Sequence, residues 1–238
     1  MLEDIKTLIE KEKYKDADYQ LKNIINNTAK DTELYSNATY LRGCINTDYK
    51  FKEKNKTIAK NAFMDCINSK YPLPLAFCKY ANLEEDNNIA INYLKLGLEK
   101  FTRNENIYRD LLRKTKLLKD KLDIIIQIKS LEIIDFYLFL EIIAIYINNN
   151  LWEECYFYSE TILSNFILGN EESVLFNLIS AFSLIKNPKP KILPKAEKKL
   201  LQVIKKDIKN DLHYASYMGL ILTYIICDNK EKAIEYFD

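Results

Sequence analysis

Apolar residues along this chain fall into short stripes spaced by three and four, the period that stacks side chains on one face of an α-helix. Seven times a small or apolar leader is followed four and seven positions later by further residues of the stripe. Ala17 leads to Leu21 and Ile24, Ala59 to Phe63 and Cys66, Ala90 to Leu94 and Gly97, and Ile124 to Ile128 and Leu131. Cys155 leads to Ser159 and Ile162, Ala196 to Leu200 and Val203, and Ala233 to Phe237. Of these followers only Ser159 is polar. The leaders stand 42, 31, 34, 31, 41 and 37 residues apart. The pattern predicts helical repeats over the whole of residues 1–238, treated as a single domain, with the small leaders Ala59, Ala90, Ala196 and Ala233 at close helix contacts.

A second set of stripes runs ahead of the leaders. Phe139, Ile142, Ile143 and Tyr146 lie sixteen, thirteen, twelve and nine residues before Cys155, and Tyr217, Leu220, Ile221 and Tyr224 hold the same places before Ala233. Tyr108, Leu111 and Leu112 repeat most of the set before Ile124. These offsets, on a period of about 34 residues, resemble the tetratricopeptide repeat. The resemblance implies an all-α solenoid of about seven helix-turn-helix units forming a right-handed superhelix. The family's first-helix glycine and closing proline are mostly missing. The two long gaps fit insertions between paired helices, at about Tyr49 to Asn55 and at Lys186 to Pro194, expected to hang off one face without disturbing the core. Pro194 fits the first turn of the helix after the second insertion.

Composition narrows the alternatives. An apolar content of 48% is ample for a core. Four glycines in 238 residues, about 2% where about 7% is usual, supply too little turn material for sandwiches, barrels or doubly wound sheets. They lie at least 50 residues apart, so no glycine-rich phosphate loop can form. The apolar window from Ile133 to Ile147 contains Asp135 and Glu141 and falls short of the about 20 residues of a membrane span. It and the shorter Leu220 to Cys227 are expected to be helices buried by helical neighbours. The chain opens Leu2, Glu3, Asp4, acids where a secretory signal would be basic. The expectation is a cytoplasmic protein.

Thirty-five basic and thirty-four acidic residues leave a net charge of +1, so any electrostatic function is local and nucleic acid is a disfavoured partner. Five cysteines with no close pair read as buried thiols in a reducing compartment. His213 is the single histidine, with no visible nucleophile or carboxylate beside it. The acidic runs Glu84, Glu85, Asp86 and Glu153, Glu154 read as solvated helix ends. Trp152 and the seventeen tyrosines recur at repeat spacing and read as core. No catalytic residue, cofactor, metal site or small-molecule substrate is expected.

Three surfaces remain as candidates. From Lys186 to Lys209, nine lysines against Glu197 and Asp207 give a local charge of +7. Lys186, Lys189, Lys191, Lys195, Lys198 and Lys199 are therefore expected to form a docking surface for an anionic partner or membrane surface. The repeat resemblance implies a partner-binding groove lined by the first helix of each unit, with Lys79, Asn82, Arg109, Arg113, Lys116, Tyr137, Leu140 and Ala144 on its floor. Where the family's chaperone-binding members carry a carboxylate clamp, this chain has Leu75, Asp110, Tyr137 and Glu141, which do not match it. At the C-terminus the helix expected from Lys230 stops at Asp238. Ile221, Tyr224, Ala233 and Phe237 are thus expected as an open face, covered by further chain or by a partner subunit.

Within the repeat class, Tyr146, Ile147, Asn148, Trp152, Phe157 and Glu160 resemble subunit 2 of the endoplasmic reticulum membrane protein complex, as do the stretch from Leu212 to Tyr224 and the repeat with the long insertion. That resemblance implies a non-catalytic subunit on the cytosolic side of the membrane. Phe77, Tyr80, Ala81, Glu84 and Ala90 resemble instead the half-tetratricopeptide repeats of RNA-processing scaffolds. A bacterial regulator or sensor that binds a peptide or protein is the third reading.

Overall fold

The computed structural model describes residues 1–187, 193–206 and 211–236, and among them every regular element is an α-helix. In chain order these are α1 (Leu2–Glu10), α2 (Tyr14–Asn27), α3 (Glu33–Ile45), α4 (Lys56–Ile67), α5 (Pro74–Leu83), α6 (Asn87–Lys100) and α7 (Glu105–Lys114). Then follow α8 (Leu118–Ser130), α9 (Phe136–Asn148), α10 (Trp152–Asn165), α11 (Asn170–Lys186), α12 (Leu193–Ile204), α13 (Asp211–Ile226) and α14 (Lys230–Glu235). Every even-numbered helix carries one of the seven leaders. Contacts resolve two units, Met1–Ile133 with four helix pairs and Ile134–Asp238 with three, where the repeat pattern predicts one domain.

Local chemistry sets the helix starts. Thr32, Asn55, Asp86, Asn104 and Asp135 accept first-turn N–H groups of α3, α4, α6, α7 and α9 through their side chains. Pro74 opens α5, and Pro194 sits in the first turn of α12 as expected. The paired helices are turned without glycine. Glu12, Asn150 and Asp228 take left-handed φ values of 58°, 57° and 54°, each five residues before its leader. In each case the next residue's N–H reaches back five positions: Lys13 to Leu8 at 2.8 Å, Leu151 to Tyr146 at 2.9 Å and Asn229 to Tyr224 at 2.9 Å. Glycine scarcity therefore reflects turns built from other residues.

The leader stripes form the cores. Ala17, Ala59, Ala90, Cys155 and Ala196 are fully buried, and so are Leu21, Phe63, Leu94, Ile162 and Leu200 among their followers. Ser159 is buried too, its hydroxyl donating to the Cys155 carbonyl at 2.8 Å. Phe237 lies outside the described residues. Glycines serve packing: a β-carbon on Gly43 of α3 would stand 2.5 Å from the Phe63 ring of α4.

The fourth repeat is set three residues earlier than the stripes suggest. Thr115 closes α7 in the same extended conformation in which Glu84 closes α5, and six residues further on stands Lys121, in the place of Ala90. Ile125 and Ile128 are the buried residues of α8, while Ile124 is only partly buried. A lysine at the contact position keeps a neighbouring helix at a distance where alanine lets it approach. Accordingly, α7 and α8 touch over far less surface than α5 and α6 do.

The first insertion does not simply hang off a face. Phe51 is buried in the N-terminal core and its ring lies 5.9 Å from that of Tyr14. Lys15 pairs with Glu53 at 2.9 Å, Lys50 pairs with Glu12, and the Tyr14 hydroxyl donates to Asp48 at 3.3 Å. An aromatic plug and surface ion pairs thus strap the loop across the turn between α1 and α2. The second insertion falls largely on residues 188–192, outside the described part.

Burial corrects four further expectations. Cys66, Cys78 and Cys155 are buried, but Cys44 is only partly so and Cys227 is exposed, because it follows the last buried turn of α13. Tyr19, Tyr49, Tyr137 and Tyr214 are exposed rather than core. Leu222, Ile225 and Ile226 are exposed as well, so the Leu220 to Cys227 segment is covered on one side only. At the expected open face, Tyr224 and Ala233 are buried: Tyr236 stacks on Tyr224 at 5.6 Å, and the Tyr224 hydroxyl donates to Glu197 at 2.7 Å. Ile221 is half-buried. Among the described residues no helix is long and apolar enough to cross a membrane.

Candidate functional site

Within each unit the odd-numbered helices lie side by side, α5 on α7 and α11 on α13. This layer presents the side chains expected to form a groove. On α5 and α7 it is polar, with more cations than carboxylates. Asp110 of α7, itself buried, accepts from the Asn82 amide of α5 at 3.2 Å and stands 3.9 Å from the Arg113 guanidinium. Arg109 donates to Asn106 one turn earlier at 2.5 Å. Lys79 is exposed on α5, three residues before Asn82. Asn82 and Arg113 are thus brought to one carboxylate from neighbouring helices, while Lys79, on the same α5, lies near Cys44 of α3 and Arg109 is bonded within α7.

Two thiols near this layer are held towards their protonated form. Burial, with the Asp110 carboxylate beside it, pushes the Cys78 thiol up to about 12. Burial also raises Cys44 despite a hydrogen bond from Tyr40 and the nearby Lys79 ammonium. A thiol held protonated neither attacks nor ligates readily. Among the described residues, no group of three His, Cys, Asp or Glu side chains could hold a metal ion.

Lys116 does not join the cationic layer. It stands in the connection after α7 and lines a cleft of about 430 Å3 between α6 and α8, together with Ile91, Asp120 and Ile124.

Tyr137, Leu140 and Ala144 lie on α9 in the second unit, with Tyr137 and Ala144 exposed and Leu140 half-buried. The odd-helix layer there is apolar. Leu175 of α11 and Tyr214, Met218, Leu222 and Ile225 of α13 are exposed, and Phe182 of α11 packs within 3.4 Å of where a β-carbon of Gly219 would lie. The proposed groove floor therefore separates by chemistry, cations on α5 and α7 and apolar groups on α11 and α13. The apolar stripe of α13 was legible as an uncharged run from Leu212 to Cys227, but such a run looks the same whether one side of the helix or both are covered.

The lysine segment holds fewer available cations than its charge suggests. Lys186, Lys195 and Lys198 are exposed. Lys199 is folded onto Glu160 at 2.6 Å with only 14% of its side chain exposed, so it is a structural ion pair rather than a docking group. Lys206 donates to the Ser173 hydroxyl at 3.0 Å. Lys189 and Lys191 lie outside the described residues. Sequence reasoning also missed Glu84, whose side chain is 8% exposed and pairs with Lys60 at 2.6 Å instead of being solvated.

These layers of paired helices define an all-α solenoid, helix pair stacked on helix pair within each unit. No protein-family model matches the chain, and no curated protein does. Among solved structures, the crystal structure of yeast Tom70 aligns with a TM-score of 0.45 and 15% identity, covering 95% of this chain. The alignment takes in 54% of the Tom70 chain, so the present chain spans about half the length of that protein.

Proposed function

We propose that this protein is a non-catalytic interaction scaffold, a subunit of a larger protein complex. The observation that carries the reading is the polar layer on α5 and α7, where Asn82 and Arg113 meet the Asp110 carboxylate and Lys79 and Arg109 add cations on the same two helices. Such a surface fits an acidic segment of a partner protein. Raised thiol values at Cys44 and Cys78 support a binding role over nucleophilic chemistry.

The finer proposal is a cytosolic subunit resembling subunit 2 of the endoplasmic reticulum membrane protein complex, supported by the run from Tyr146 to Glu160 and by the stretch from Leu212 to Tyr224. In that setting the exposed Lys186, Lys195 and Lys198 would lie near an anionic membrane surface. Affinity purification from the native host, with mass spectrometry of what co-purifies, tests both levels. A membrane-insertion complex is the expected catch. RNA-processing proteins, or a single regulatory partner, would replace the finer proposal and keep the scaffold. The double variant Lys79→Glu, Arg113→Glu is expected to lose most of the catch at unchanged helicity; full retention would overturn the role given to the cationic layer.

A further inference from the structure

In the second unit a cleft of about 380 Å3 opens between α11 and the end of α12, two helices of one pair, and so lies apart from the contacts of odd helix on odd helix. Ser173 and Asn177 of α11 meet Gln202, Lys205 and Lys206 across it. The buried Val174 and Val203 supply its apolar side. Ser173, Asn177 and Lys206 are half-buried, while Gln202 and Lys205 are exposed. Lys205 and Lys206 stand seven and eight residues beyond Lys198, about two helical turns. The cleft is therefore distinct from the exposed Lys186, Lys195 and Lys198.

The hydrogen-bonding capacity left over in this cleft consists mostly of donors. The Ser173 hydroxyl oxygen already accepts from the Lys206 ammonium at 3.0 Å, and the Asn177 side-chain carbonyl accepts from the Lys199 ammonium at 3.4 Å. The Asn177 amide is used as well, donating to the Ser173 carbonyl at 2.7 Å. Among the described residues the Gln202 amide and the Lys205 ammonium have no side-chain partner, the Ser173 O–H donates to none, and the Lys206 ammonium keeps two of its three N–H groups. No described carboxylate lines the cleft. Glu172 accepts from the Gly169 N–H at 2.9 Å, and Glu160 is held by Lys199 at 2.6 Å and Ser180 at 2.8 Å. Donors with two positive charges and no counter-ion call for an anion with several oxygens.

Charge and donor count narrow that anion. A carboxylate brings one negative charge and two oxygens, leaving an ammonium uncompensated. A phosphodiester also carries a single charge, and nucleic acid needs a longer track of cations or a stacking aromatic, neither of which lines the cleft among the described residues. Phosphorylated protein segments are held chiefly by arginine forks, and residues 134–238 contain no arginine. A phosphate monoester brings a charge of about −2 and three acceptor oxygens, which match two ammonium groups and the hydroxyl and amide donors beside them. The remaining volume, next to Val174 and Val203, admits a small organic group. We propose that this cleft binds a phosphate monoester, carried by a small soluble molecule or by a lipid headgroup, with Lys205 and Lys206 taking its charge and Ser173 and Gln202 bonding its oxygens. The site goes beyond the scaffold reading and does not depend on it.

The test uses the full chain and offers one chemistry in two forms. Free glycerol 3-phosphate is titrated by calorimetry, and phosphatidylcholine vesicles containing phosphatidic acid, whose headgroup is the same monoester, are tested by co-sedimentation. Vesicles with phosphatidylserine at matched surface charge are the control. The expected result is saturable binding, with slower amide exchange at residues 173–177 and 202–206. Capture by the phosphatidic acid vesicles identifies a lipid headgroup; binding of the free ester alone identifies a soluble ligand. The variant Gln202→Glu, Lys205→Glu, made at exposed positions, is expected to weaken binding by roughly tenfold or more with circular dichroism unchanged. The variant Lys195→Glu, Lys198→Glu on the same helix should bind the free ester as the wild type does. If the cleft variant unfolds, the exchange pattern of the wild type decides. Equal loss in both variants, equal capture by phosphatidylserine, or protection confined to residues outside the cleft would show a diffuse cationic surface and overturn the site. Failure of both forms to bind overturns it as well, including where a phosphoserine peptide or RNA binds instead.

Discussion

Glu84 shows how much one side chain's surroundings can differ from its sequence context. Within the run Glu84, Glu85, Asp86 the three acids look alike, yet Asp86 caps α6, Glu85 is 87% exposed beside Lys56, and Glu84 is enclosed. The Lys60 ammonium holds the Glu84 carboxyl down to about 2, helped by the backbone N–H groups of Asp86 and Glu85 and by the Tyr80 hydroxyl, against the opposing effect of burial. The folded value lies below the unfolded value of about 4.3. Its stabilisation is therefore complete above that unfolded value and is lost as pH falls through about 2. We expect Glu84→Gln to be less stable than the wild type at neutral pH, with the gap closing across this acid window. Urea denaturation at a series of pH values checks it, and a gap independent of pH would refute the pairing. Lys60 lies 24 residues away on α4, so no local sequence signal could have paired it.

At the scale of elements, most of the fold was legible and the failures have physical causes. Leaders at Ala17, Ala59, Ala90, Cys155 and Ala196 are all fully buried, because a small residue at a close contact and its followers must face the same side of a helix. The fourth repeat misled because Ile124, Ile125 and Ile126 are consecutive: a run of isoleucines satisfies the stripe in more than one register. Lys121 at the contact position is the element-level consequence. Lys121→Ala should let α8 settle closer to α7, narrow the cleft and raise stability by about 0.5–1 kcal/mol. Slower amide exchange along α8 in the variant would show it, whereas unchanged exchange would mean that the lysine is not the spacer. The first insertion was legible as an insertion only. That Phe51 returns to the core could not be read from a loop rich in lysine.

For the whole molecule, the repeat arithmetic anticipated seven helix pairs and the structure groups them as four and three. A periodic sequence marks each unit of a solenoid but carries no sign of where the stack divides. Residues 1–133 contain their own core clusters, around Ile5 and Leu21 and around Phe63 and Phe77. We therefore expect residues 1–133, produced alone, to give a helical circular dichroism spectrum and a cooperative thermal transition. A broad, non-cooperative melt would show that this unit depends on the rest of the chain. The candidate surfaces were legible as composition, cations here and apolar residues there. Their division between α5 and α7 on one side and α11 and α13 on the other needed the helix faces.

That division has a kinetic meaning. Fixed cations reach a partner through about 8 Å of physiological electrolyte, so under the proposed scaffold role those on α5 and α7 would act on the encounter, with an influence that fades as salt is added. An uncharged stripe exerts nothing until water is displaced from it, so α13 acts on how long a complex lasts, with a negative heat-capacity change as its mark. For a partner of the α5 and α7 surface, association should slow with salt while dissociation scarcely changes; for a partner of the α13 surface, charging Ile225 should do the reverse.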